Sequence, residues 1–255
     1  MTAPTPEPAP ARVVVDVTIA APIETVWRAL RDRDLLAQWF GWDYEQLAAE
    51  IDMIFVDGGV ELEAGRRLDM GGNVFELEPA GAGTRVRLTR SDPPASDTWD
   101  GVYDDIDEGW RTFVAQLAFW LEAQGGAGRE TNPRRTIYVA GHRDSADAPT
   151  LSAAAGLDVV DGLPVGASYD ATAATGERLT GVVRFRIAHQ VGVSVDGWGP
   201  GLLVLAGRPG SEKSPHGGGF ALITVFGADA DRMARLTAAW AAVWRQAFTR
   251  VSVMP

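Results

Sequence analysis

The 255-residue sequence predicts an α+β fold: an antiparallel sheet packed against one long helix, and this arrangement present twice. Three observations carry the prediction. Two long segments, DDIDEGWRTFVAQLAFWLEAQGG and ADADRMARLTAAWAAVWRQAFTRV, repeat apolar residues at helical spacing. Ahead of each lies a series of short runs with a period near two, broken by Gly, Pro or Asp. Between the two series, the Gly- and polar-rich GGAGRETNPRR interrupts any periodicity.

In chain order, Val13 to Ile19 is a β-branched run and reads as a strand. Pro22 then suits the first turn of a helix, on which Ile23, Val26, Trp27 and Leu30 form one stripe. Asp32 or Asp34 can cap a second short helix whose apolar side is Leu35, Leu36 and Trp39. After Gly41 the spacing predicts strands. AEIDMIFVD puts Ile51, Met53 and Phe55 on one face, and VELEAG, RRLDMG, NVFELEPA and TRVRLTRS follow. Trp110, Phe113, Val114, Leu117, Trp120 and Leu121 then make a helical stripe, with acidic residues at its start, where the helix dipole favours them.

The second series begins with the strand RRTIYVAG and a short helix in APTLSAAAGL. LTGVVRFRIAHQ, VGVSVDGW, GLLVLAGRP and GGFALITVFG read as strands. The last helix carries Met233, Leu236, Trp240, Val243, Trp244, Ala247, Phe248 and Val251 on its stripe. This half has no clear counterpart of the helix pair around Trp27 and Trp39. The expected division is a tail over 1–11, a domain over 12–126, a linker over 127–134 and a second domain over 135–255.

Composition excludes several functions. With no cysteine, the chain has no disulfide, thiolate metal site or cysteine nucleophile. Net charge is −11, and it is uneven: residues 1–130 carry 24 acidic and 11 basic side chains, residues 131–255 carry 10 and 12. Such a chain repels nucleic acid and anionic membrane. The tail MTAPTPEPAPA has neither the basic nor the apolar region of a secretion signal, and no stretch is apolar enough to span a bilayer. The expectation is a soluble, cytoplasmic protein. The single lysine, Lys213, lies in the loop RPGSEKSPHGGG and makes Schiff-base chemistry a poor expectation. The acids 104, 105, 107 and 108 lack calcium-loop spacing, the three histidines are dispersed, and neither GSEKSPHGGG nor DMGGN has phosphate-loop spacing. No metal and no cofactor are expected.

IAAPIETVWRALRDRDLLAQWFGW, followed by short strands and DEGWRTFVAQLAFWLE, resembles the START-like helix-grip (SRPBCC) superfamily. Within it, the likeness is nearest to homologues of the chaperone-ATPase activator Aha. It is carried by Ala21-Pro22, Val26-Trp27, Ala29-Leu30, Leu36, Trp39-Phe40 and Gly109-Trp110 with Leu117 and Leu121, over about residues 12–124. The resemblance implies a curved sheet wrapped around the long C-terminal helix, with an apolar cavity between them. Members bind lipids, sterols, polyketides or plant hormones, and some are cyclases or hydrolases.

On that fold Trp39, Trp42 and Tyr44 fall near the cavity mouth, while Met53, Phe55, Met70, Phe75, Trp110 and Phe113 fall along its walls. Core packing and ligand contact both account for such rings. Three functions follow. The leading one is non-catalytic binding of a hydrophobic or amphipathic small molecule. The second is an enzyme on a hydrophobic substrate, such as a cyclase or hydrolase, with Asp69, Arg87, Tyr103 and His189 as the titratable groups to test. The third is a protein-interaction module docking through the acidic first half.

Overall fold

A computed structural model describes residues 11–91, 103–126, 128, 132–211 and 214–254. The Pro-rich tail, Lys213 and the side chains of Tyr103 and Asp104 lie outside the described residues.

The first half opens with β1 (Ala11–Ile19), α1 (Ile23–Arg31) and α2 (Arg33–Leu36). Asp32 caps α2, its carboxylate accepting from Asp34 N at 2.9 Å and Leu35 N at 3.3 Å. β2 (Gly59–Glu63), β3 (Arg67–Met70), β4 (Asn73–Ala80) and β5 (Gly83–Ser91) precede the long α4 (Tyr103–Gln124); α3 is Leu47–Ile51. The second half runs β6 (Arg134–His142), α5 (Leu151–Ala155), a 3-10 turn (Asp158–Gly162), β7 (Ser168–Thr172), β8 (Arg178–Ile187), β9 (Gln190–Val195), β10 (Gly201–Arg208), β11 (Gly218–Phe226), α6 (Ala230–Ala247) and β12 (Thr249–Met254).

Both sheets are antiparallel and share a core order, to which the second adds two strands. The first is ordered β1-β5-β4-β3-β2, the second β12-β6-β11-β10-β9-β8-β7. In each, the first strand of the half pairs with the last strand before the long helix. This is the expected α+β helix-grip arrangement, present twice. α5 and the 3-10 turn occupy the place in the second half that α1 and α2 occupy in the first. The missing counterpart of the helix pair is therefore present, but shorter than the sequence pattern could reveal.

Three sequence expectations are corrected. AEIDMIFVD is not a strand: it forms α3 and a π-helical turn (Asp52–Asp57) closed by Gly58 N to Met53 O at 3.1 Å. Leu47, Ile51 and Phe55, four residues apart, are buried, whereas Met53 is 64% exposed. A spacing of four wins over the apparent alternation at 51, 53 and 55. The last helix stops at Ala247, and Phe248 turns extended into β12, where the β-branched Thr249, Val251 and Val253 suit a strand. Gly141 of β6 permits this return, since a Cβ there would stand 2.6 Å from that of Phe248. β7 was not expected at all.

The layers explain the two cores. The first sheet is buried on one face by Leu77, Val86 and Leu88, while Arg85, Arg87, Glu76 and Glu78 alternate outward. The second sheet is buried on both faces. Leu202, Val204, Phe220 and Leu222 join the core of the first half. Their neighbours Leu203, Leu205, Ala221 and Ile223 face α6. Two-sided burial accounts for the continuous apolar runs of β10 and β11.

α4 lies between the sheets and uses two stripes. Trp110, Val114, Leu117 and Leu121 are buried with the first sheet's core. Thr112 and Gln116 bond the second sheet through Gln190 and Thr224, and Phe119 lies 6.4 Å from Phe226.

Candidate functional site

The segment Trp39–Tyr44 joins the two halves. The indole N–H of Trp39, fully buried, donates to Ala29 O at 3.0 Å, and its ring meets Phe40 and Phe55 edge-on. Gly41 turns the chain at φ 63°, a conformation that suits glycine. Its carbonyl accepts from Gln116 Nε2 and Arg134 Nη1, both at 3.0 Å. Trp42 emerges on the other side and stacks on Tyr138 of the second sheet, 4.4 Å between ring centroids and 21° between planes. Asp43 exchanges two bonds with Thr136: it donates from its amide at 2.5 Å and accepts at 2.9 Å.

Beyond this joint opens a cavity of about 370 Å³. Its apolar walls are Phe40, Trp42, Ile54, Met70, Trp110 and Phe113 from the first half, with Tyr138, Ala206 and Phe220 from the second. The polar lining residues are Glu50, Asn73, Asp105, Glu108, Thr112 and Arg208. Most of these have a partner. Asn73 accepts from the Trp110 indole at 3.1 Å. Arg208 pairs with Asp105 at 3.6 Å. Glu108 is ion-paired to Arg111, and its carboxylate accepts from Gln190 at 2.5 Å. Tyr44 donates to Glu50 at 2.5 Å; burial first, then the Glu50 carboxylate, push the Tyr44 phenol up to about 12. Burial also raises Tyr138, against the lowering pull of Arg208.

One polar atom has no partner. The Trp42 indole N–H is shielded from solvent and finds no acceptor among the described residues. A donor in that condition costs about 1–3 kcal/mol until something accepts from it.

Of the nine residues singled out from the sequence, Trp42, Met70, Trp110 and Phe113 line this cavity. Trp39, Phe55 and Phe75 are buried packing behind it, and Phe75 meets Trp110 at 5.6 Å. Tyr44 stands one step back through Glu50. Met53 points to solvent. Asp69, Arg87 and His189 are not among the lining residues. Asp69 accepts from Gly72 N, and Arg87 lies within 3.7 Å of Asp16 and 3.6 Å of Glu76 on the outer face. The second-half wall, Tyr138, Ala206, Arg208 and Phe220, escaped the sequence reading. Its one signal was the unbroken apolar character of β10 and β11, which announces a second buried face without saying what covers it.

No group of three His, Cys, Asp or Glu side chains able to hold a metal occurs among the described residues. None of the described helices is long and apolar enough to cross a membrane.

No family model and no curated protein sequence matches the chain. Solved structures similar to it include DynU16, from the dynemicin biosynthetic locus, at 18% identity over 94% of this chain and 97% of that one, with a TM-score of 0.33. The di-domain ARO/CYC BexL of the BE-7585A biosynthetic pathway aligns at 15% identity over 94% and 99%, TM-score 0.33. The di-domain ARO/CYC StfQ of the steffimycin biosynthetic pathway aligns at 13% over 91% of each chain, TM-score 0.29. The fold assignment above rests on the two sheet orders, not on these alignments.

Proposed function

We propose that the protein binds a hydrophobic, ring-containing small molecule in the cavity between its halves. The observation that carries this reading is the aromatic-walled space of about 370 Å³, bounded by residues of both halves. Ligand sites commonly have this make-up: a few hundred Å³, mostly apolar and aromatic, with a few convergent polar groups. The ligand would place its polar end toward Arg208 and Asp105. In family terms, the chain is read as a tandem member of the helix-grip superfamily, the first half nearest to the Aha homologues, and as a cytoplasmic protein.

Native mass spectrometry after incubation with a mixture of hydrophobic metabolites tests the reading. A one-to-one adduct is expected, and it should vanish in Ala206→Phe, which fills the space from the second-half wall. Absence of any adduct with the wild-type protein sinks it.

A second reading, catalysis on the same ligand, is favoured by one observation: Glu50, Asp105 and Glu108 are among the lining residues, so the wall is not made of apolar residues alone. Glu50 is the best placed for proton transfer, with Tyr44 as its hydrogen-bond donor. If the protein is an enzyme, the mass of the bound ligand changes on incubation, and Glu50→Gln abolishes that change while the adduct persists.

A further inference from the structure

The other face of the second sheet carries its own cavity, of about 390 Å³. It opens between the β8–β9 turn, the ends of β10 and β11, and α5. Leu151, Val191 and Leu205 make its apolar floor. Three arginines, Arg143, Arg186 and Arg208, stand in its wall.

The guanidiniums of the first two are held in place without being neutralised. Arg143 donates from Nη2 to Ala146 O, at 2.8 Å, and to Ala148 O. Arg186 donates from Nη2 to Val160 O and, at 3.3 Å, to Leu163 O. Carbonyl oxygens fix the orientation of a guanidinium but leave its full charge. Among the described residues, no carboxylate is ion-paired with either. The acid in the wall, Asp161, instead accepts from the Ser152 hydroxyl at 2.7 Å. The Nε of Arg143 is shielded from solvent and has no acceptor among the described residues. Arg208, which also lines this cavity, is engaged by Asp105.

Arg143 is half-buried and Arg186 exposed, and loop carbonyls orient both toward the same opening. The chain as a whole carries −11, and its acids satisfy basic groups elsewhere. Beyond about 8–10 Å that global charge is screened, so the local sign decides what enters. We propose that this second cavity takes an organic oxyanion: a carboxylate or phosphate head on a short apolar body. The head would accept from the guanidinium donors that the loop carbonyls leave over, Nη1 of Arg143 and Nη1 or Nε of Arg186. The body would lie on Leu151, Val191 and Leu205. The cavity lies on the other face of the sheet from the one proposed above and meets it at Gly207 and Arg208, which line both; neither reading requires the other.

Octanoate and hexyl phosphate, with 1-octanol and octyltrimethylammonium as controls, test the proposal by calorimetric titration at low salt. Both anions are expected to bind, and neither control to do so at the same concentrations. Arg143→Gln and Arg186→Gln should each weaken the anions about tenfold, the effect of a charge-assisted hydrogen bond. Because both side chains also brace loops, Arg143→Lys provides a second variant, expected to retain the charge, melt like the wild type and bind with intermediate affinity. Amide shifts of the wild-type protein on octanoate titration should concentrate at Leu151, Val191 and Leu205. Equal affinity for 1-octanol, unaltered affinity in Arg143→Gln, or shifts confined to the Trp42–Trp110 side would overturn the assignment.

Discussion

Two side chains of the joint have effects that can be measured singly. Trp42 contributes a ring, stacked on Tyr138, and an indole N–H with no acceptor. Trp42→Phe keeps part of the stacking ring and removes a shielded donor that has no acceptor among the described residues, so the relieved desolvation offsets part of the lost packing. Urea unfolding should show a loss below about 3 kcal/mol; a larger one would mean that the indole N–H is satisfied. Tyr44 gives a pH dependence. Its phenol ionises near 10 in the unfolded chain and is pushed to about 12 in the fold, by burial and by Glu50. Between those values the folded state binds the extra proton, so stability is full below about 10 and is lost as pH rises toward 12. The loss should be about 1–2 kcal/mol, allowing for partial hydration. Melting temperature followed from pH 9 to 12 should fall less steeply in Tyr44→Phe than in the wild type.

At the scale of elements, α4 decides the architecture, and Gln116 is its most connected polar side chain. Its Nε2 donates to Trp39 O and Gly41 O at 3.0 Å, and its Oε1 accepts from Thr224 at 2.8 Å. Gln116→Leu keeps the volume but leaves buried acceptors and a hydroxyl unmatched, at a cost of about 2–4 kcal/mol. Urea unfolding should show a lower midpoint with an unaltered slope. A change below about 0.5 kcal/mol would show that the network is solvated rather than buried. Elements of this kind were unequally legible in the sequence. α4 and α6 declared themselves because long amphipathic stripes accumulate signal over many turns. The stretch Leu47–Asp57 did not, because a short apolar run fits both a period of two and a spacing of four, and only packing chose between them. α5 was too short to advertise its partnership with α1. Of the cavity, the rings of α4 and of the Trp39–Tyr44 joint could be foreseen, since they sit where a helix meets a sheet. Tyr138, Ala206 and Phe220 could not, because their contribution depends on the second sheet docking against the first half.

At the scale of the whole molecule, that docking makes the division into two domains a structural question. We propose that the halves are interdependent rather than two independent domains in tandem. The first half ends in a helix with apolar and polar contacts on opposite sides, one side to each sheet. Leu202, Val204, Phe220 and Leu222 fill its core from outside. Residues 12–126 alone would uncover Phe119 and the ring of Trp42, and would leave Thr112 and Gln116 without their partners across the joint. At roughly 25 cal/mol per Å² of apolar surface, uncovering even a few such side chains removes several kcal/mol, comparable to the whole stability of a domain this size. The outer salt-bridge ladder of the first sheet cannot compensate, because exposed pairs such as Arg85 with Glu78 contribute little. The isolated segment 12–126 should therefore keep far-ultraviolet helix and strand signals but lose near-ultraviolet tryptophan dichroism, and it should enhance the fluorescence of a dye specific for exposed apolar surface. The full chain should unfold in one transition by both probes. A cooperative, dye-silent melt of 12–126 alone would instead establish two self-sufficient domains, with the cavity a cleft between finished bodies rather than part of a shared core.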